Sequence, residues 1–218
     1  MSALYYCRQT TTACKGLPYP SKTHPYRYGT SGCVYTSGCG VCASLMALRN
    51  STTRVFNTRQ WTHRCLGMGA RAAEGTDMAV VARYMKEKYG LDYAVTTDMD
   101  RLVAHLKQGY KAIINVSGGG KMLFSNSGHY VLAAGIDKNG NLIILDPYWY
   151  DGKFTLTAAR RKYTRVKNGR EVYVRPADLK GDVLSLWLFT PKRDVRLAYS
   201  THDIHCLLYT SDAADDLI

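Results

Sequence analysis

Ser37-Gly38-Cys39-Gly40-Val41-Cys42, running on into Ala43-Ser44-Leu45-Met46-Ala47-Leu48-Arg49-Asn50, is the stretch on which the reading of this chain turns. Val41, Leu45 and Leu48 stand at helical spacing, and Ala43, Met46 and Ala47 fill in around them. The spacing predicts a helix over 41–50, and a helix apolar nearly all round is a buried one. A cysteine at its start faces unpaired backbone N–H groups and the positive end of the helix dipole. Both favour the thiolate, the nucleophilic form. The glycines on either side are expected to leave room for a substrate backbone, and the helix-start amides to stabilise an oxyanion.

A thiolate nucleophile needs a base, and the base needs a group to orient it. Of the six histidines, His129 alone opens a strongly β-type run, in Ser127-Gly128-His129-Tyr130-Val131-Leu132. Asp146 closes the next apolar run, in Ile144-Leu145-Asp146-Pro147, where packing supplies no reason for a carboxylate. Singly, each has a bland reading: a small buried hydrophobe, a strand cap, a turn starter. It is the ordered set that points to a site.

Working outward, Thr76-Asp77 predicts a helix N-cap ahead of a stripe of Met78, Val81, Ala82 and Met85, with Gly90 as the stop. A second amphipathic helix starts near Asp98 or Asp100, carries Met99, Leu102, Val103 and Leu106, and ends at Gly109. From Lys111 the period changes. Residues 112–116, His129–Ile136, Leu142–Leu145, 163–166, Glu171–Val174 and 183–189 are short β-type runs separated by glycine-rich and Asn-Gly turns. Helices followed by consecutive strands give an α+β fold with an antiparallel sheet. Residues 1–38, rich in turn formers, read as an irregular arm of the same domain.

The strand pattern also fixes a geometric expectation. A tight two-residue Asn139-Gly140 turn would set Asp146 opposite Ala133, roughly 13 Å along the strand from His129. A loop of four or more residues, or an equivalent bulge, would set Asp146 opposite Val131. His129 then becomes its diagonal neighbour, about 7 Å away between backbones. The second register is the expected one.

Bulk properties narrow the class. A hydrophobic content of 46% and a charged content of 21% suit an ordinary globular domain. No apolar run reaches the roughly 18 residues that span a bilayer, and the start has no signal-peptide pattern, so the chain is expected to be cytoplasmic at synthesis. Seven cysteines without such a signal favour free or catalytic thiols over a disulfide framework. The formal charge of +12 suits an acidic partner such as an anionic wall polymer, a membrane face or an acidic protein. There is no arginine-rich run or RNA-binding signature to support a specific nucleic-acid partner. Residues 206–216, Cys206-Leu-Leu-Tyr-Thr-Ser-Asp-Ala-Ala-Asp-Asp216, resemble a translated sequencing adapter, so 1–195 is read as one domain and 196–218 as a non-native or disordered tail.

Gly38-Cys39-Gly40, Gly128-His129-Tyr130-Val131 and Asp146-Pro147 together resemble the papain-like peptidases related to bacterial double-glycine leader (bacteriocin-processing) peptidases. The resemblance covers about residues 1–190 and implies a Cys39–His129–Asp146 triad that hydrolyses peptide bonds without a cofactor or metal. The implied substrate is a peptide or protein, with bacterial or phage cell-wall peptide one class that the basic charge fits. Leader-processing members carry an oxyanion glutamine six residues before the nucleophile, where this chain has Cys33. The only upstream glutamine is Gln9, to which that role is assigned. Three other readings stand beside this one. Cys39 and Cys42 form a C-x-x-C redox pair, Cys33, Cys39, Cys42 and Cys65 have zinc-ligand chemistry, and an inactive peptide-binding relative would share the fold.

Overall fold

The structure, a computed structural model, describes residues 4–192. The 196–218 tail, with Cys206, lies outside the described residues. Helix α1, Cys39–Ser51, is buried from Gly40 to Leu48, as its all-round apolar pattern requires. Three more helices follow: α2, Thr58–Gly67, α3, Met78–Tyr89, and α4, Met99–Lys107. Asp77 caps α3 by accepting from the backbone N–H groups of Ala79 and Val80, and Gly90 ends it in the left-handed conformation at φ 65°. Asp98 caps α4 in the same way.

Besides a two-stranded ribbon of Arg71–Ala72 and Gly75–Thr76, the strands are β1 (Leu91–Thr96), β2 (Lys111–Val116), β3 (His129–Ile136), β4 (Leu142–Leu145), β5 (Thr164–Lys167), β6 (Glu171–Val174) and β7 (Val183–Pro191), numbered within the main sheet. A short helix, α5 (Ala158–Tyr163), runs straight into β5. They form one seven-stranded sheet in the order β1-β7-β2-β3-β4-β6-β5. Every neighbouring pair is antiparallel. The fold is therefore α+β with an antiparallel sheet.

Alternation along the strands sorts the core into two layers. Ile113, Leu132, Ala134, Leu145 and Phe189 pack with α1, α2 and α3 on one face. Ala112, Ile114, Val131, Ala133, Ile144 and Leu188 pack with α4 on the other. Burying side chains such as Leu45 and Leu48 fully contributes about 1.5–3 kcal/mol each. The arm is irregular as expected, apart from one-turn helices at Thr12–Lys15 and Val34–Ser37. It is nonetheless part of the core: Cys7, Cys14, Leu17 and Tyr19 are buried, and the Tyr19 hydroxyl bonds Thr76 Oγ1 at 3.0 Å.

The hairpin between β3 and β4 reaches the expected register by a mixed route. Ile136 pairs with Leu142, and Asp137 N–H donates to the Asn141 carbonyl at 2.8 Å, which leaves a three-residue loop. The ladder then slips at Ala134, so that Ala133 pairs with Ile144 and Leu132 with Leu145. A loop one residue longer than the tight turn, plus one bulged residue, carries Asp146 to the level of Val131.

Candidate active site

Cys39 is the first residue of α1, with Gly38 as its N-cap, and its side chain is partly exposed. The flanking glycines have a different use from the one expected. A Cβ at Gly40 would come within 2.5 Å of Thr76 Cβ, and one at Gly38 within 2.5 Å of the Val34 carbonyl oxygen. Close internal packing, not room for a substrate, requires glycine at both positions.

His129 and Asp146 are 6% and 0% exposed, and His129 Nε2 lies 2.8 Å from Asp146 Oδ1. The imidazole also hydrogen-bonds the Cys39 thiol. With Nε2 engaged by the carboxylate, Nδ1 is the nitrogen left for the thiol. Helix α1 packs against β3, and Cys39 meets the backbone of Tyr130, the second residue of that strand. The helix-start thiol and the buried carboxylate thus both act on the one imidazole.

Electrostatics follow from these contacts. Burial alone would push the Cys39 thiol up. The hydrogen bond and charge of His129, with backbone hydrogen bonds at Tyr130 and Gly40, outweigh it and bring the thiol below its ordinary value. Burial would likewise pull His129 down, but the Asp146 charge and hydrogen bond and the thiol raise it to about 9. Asp146 is raised by burial and lowered more strongly by Lys153 and His129, to about 2. Cys42 goes the other way: a hydrogen bond with Cys7 and full burial hold its thiol well above the ordinary value.

Gln9 is 2% exposed. Its backbone N–H donates to the Pro147 carbonyl at 2.9 Å, and its Nε2 donates to the Tyr35 carbonyl at 3.0 Å. It is thus held between the residue after Asp146 and the turn before Cys39. Its Oε1 is buried without a hydrogen-bond partner.

Sequence reasoning missed Lys153. Its Nζ lies 2.6 Å from Asp146 Oδ2, and the residue is 2% exposed. No sequence signal marks it, because lysine is a surface residue on average. Only its place seven residues after Asp146, between Trp149 and Phe154, hints at burial. The metal reading fails on geometry: among the described residues, no three His, Cys, Asp or Glu side chains gather in a way that could hold an ion. Among the described residues there is also no parallel βαβ frame of a thioredoxin-like redox protein, since every strand pair of the sheet is antiparallel.

Residues 15–173 match the sequence profile of the Peptidase_C39 like family. The chain belongs to that family. The matched span takes in Cys39, His129 and Asp146, while Gln9 precedes it. No curated protein matches the sequence. Among solved structures, this family member is similar to the peptidase domain of Streptococcus ComA, a bi-functional ABC transporter involved in a quorum sensing pathway. That likeness has 14% identity and a TM-score of 0.47 over 71% of this chain and 91% of the other. The peptidase domain of Streptococcus mutans ComA gives 14% identity and a TM-score of 0.43 over 72% and 93%. These overlaps are loose, and it is the profile match that places the chain. Among the described residues, no helix is long and apolar enough to cross a membrane.

Proposed function

We propose that this chain is a cysteine peptidase in which Cys39 is the nucleophile, His129 the general base and acid, and Asp146 the group that orients the imidazole. The observation that carries the reading is the helix-start thiol hydrogen-bonded to a buried imidazole whose other nitrogen is held by a buried carboxylate. The Cys39 thiolate attacks the scissile carbonyl carbon. The α1-start amides take the oxyanion, and Gln9 joins them only when its Nε2 leaves the Tyr35 and Val34 carbonyls to which it donates. The imidazolium then gives its proton to the leaving amine, and the neutral imidazole activates the water that hydrolyses the acyl-enzyme. No cofactor enters this scheme.

The substrate in this reading is a peptide or protein, with cell-wall peptides and peptide precursors the classes to try first. Tyr148 and Tyr150, both partly exposed, stand edge to face beside His129, with centroids 6.3 Å from His129 to Tyr148 and 6.0 Å from Tyr148 to Tyr150. They offer an aromatic wall to an extended chain. Several basic side chains near the nucleophile's region are already engaged within the fold. Arg49 lies 3.6 Å over the Tyr5 ring, Lys15 5.2 Å over Tyr35 and Arg54 5.7 Å over Tyr89. The high charge is therefore weak support for any one acidic partner.

The test is digestion of a peptide library and of purified wall stem peptides, read by mass spectrometry. Cys39→Ala is expected to abolish cleavage, while Cys42→Ala keeps it within a few-fold, since Cys42 is buried beside Cys7. Loss of activity in both variants would favour the Cys39/Cys42 redox pair instead. Cleavage surviving in Cys39→Ala would remove the nucleophile assignment.

A further inference from the structure

Lys153 is a buried cation that the proposed chemistry does not use. A fully buried lysine is rare unless paired, because desolvating an ammonium costs several kcal/mol. Here the ammonium donates to Asp146 Oδ2 at 2.6 Å and to the Tyr148 carbonyl at 2.9 Å. It also lies 5.3 Å from the Tyr148 ring centroid, 5.9 Å from that of Tyr150 and 5.7 Å from that of Phe154.

We propose that Lys153 is a positioning residue of the site: it holds Oδ2 of Asp146 and the carbonyl of Tyr148 together, so that Oδ1 stays on His129 and Tyr148 stays against the imidazole. The inference rests on the reading of Cys39, His129 and Asp146 given above.

Two features support it. Oδ1 of Asp146 meets His129 Nε2 at 2.8 Å and accepts from the Tyr148 backbone N–H at 2.9 Å, and Lys153 adds the side-chain bond to Oδ2, so that both oxygens are held. The second feature is charge balance. A thiolate–imidazolium pair beside Asp146 alone would leave a net negative charge in a buried site. Lys153 closes the balance at two cations and two anions, which favours the thiolate. The ionisable groups that face the pair are His129, Cys39, Tyr148, Tyr150, Tyr6 and Arg160. Tyr6 donates its hydroxyl to the Asp146 carbonyl at 2.6 Å, and Arg160 NH1 donates to the Lys153 carbonyl at 3.3 Å. Arg160 reaches only carbonyl groups, so Lys153 is the cation that meets the carboxylate directly.

The test follows the rate at which iodoacetamide alkylates Cys39, read from its peptide by mass, against pH. It needs no substrate. In Lys153→Met the acid limb of the profile is expected to move up by about one pH unit or more, because the carboxylate and the thiolate both lose a nearby cation. In Asp146→Asn, adding Lys153→Met is expected to shift the limb by less than half as much as in the wild-type background, since only the lysine's direct effect on the thiolate is left once the carboxylate is gone. A Lys153→Met profile that overlays the wild type, or falls by one factor at every pH, would overturn the proposal. If Lys153→Met is too unstable to titrate, melting decides. The double variant should melt no lower than Asp146→Asn, which leaves the lysine buried and unpaired. A double variant that melts lower by the sum of both losses would refute the coupling. Failure of the underlying reading looks different: wild-type Cys39 would then label no faster than the buried cysteines in mild acid.

Discussion

Replacing His129 with alanine should lower kcat/KM on any cleaved peptide by about 10⁴-fold or more while the protein stays folded. The imidazole serves both halves of the proposed reaction, as base for the thiol and as acid for the leaving amine. Its loss also removes the hydrogen bond and charge that hold the Cys39 thiol down, and leaves burial to push it up. Both effects act in the same direction. Folding should survive, because Asp146 keeps its ion pair with Lys153 and is not left as a lone buried charge. Asp146→Ala is the poorer experiment for that reason. It strands Lys153 in a site that is 2% exposed, where breaking a buried pair costs about 3–5 kcal/mol. Steady-state kinetics beside a thermal melt checks the claim, and activity within tenfold of the wild type would count against His129.

The second large effect is in the pH profile. If the working form is a thiolate–imidazolium pair, activity rises as Cys39 loses its proton, which occurs below the ordinary thiol range. It falls as His129 loses its own, near 9. The raised histidine means that the imidazolium persists through neutrality, so the plateau should begin below the ordinary thiol range and end at about 9. Above that, the leaving amine lacks its proton donor and kcat should fall about tenfold per pH unit. A neutral thiol–imidazole pair also gives a rising acid limb, but one set by loss of the imidazolium proton and with no fall near 9. Activity would then rise through the ordinary histidine value of about 6.5. The kcat/KM profile of the free enzyme distinguishes the two.

Much of this fold was legible because single residues carry local signals. Asp77, Asp98 and Gly90 end helices by capping chemistry that depends on neighbours only. The β3–β4 register was legible because a strand has a period of two, so only certain pairings bring His129 near Asp146. Three of the elements that were missed show why. Helix α2 buries only Trp61, Thr62 and Cys65, too narrow a stripe for periodicity to show. Its Asn57–Gln60 capping box, with reciprocal bonds of 2.8 and 3.0 Å, was the readable sign. Strand β1 is a half-exposed edge strand that begins directly after Gly90, without a turn to mark it. Helix α5 has six residues and little periodicity to detect. At the site, Cys39, His129 and Asp146 stood out because each is the wrong residue type for its surroundings. Gly38 and Gly40 were conspicuous but misread, since the Val34 and Thr76 atoms they accommodate are visible only once the chain is folded. Lys153 was invisible for the same reason: its burial is a product of tertiary packing around Asp146.

The most direct measurement is the mapping of iodoacetamide labelling on the native protein near pH 6. An ordinary thiol is almost wholly protonated there, and only a thiolate reacts. The account predicts that Cys39 is alkylated on the order of 100-fold faster than Cys7, Cys14, Cys42 and Cys65. It also predicts that His129→Ala abolishes the advantage. Labelling of Cys39 at the same rate as the other cysteines, or an advantage that survives the loss of His129, would contradict the thiolate–imidazolium pair on which the proposed mechanism stands.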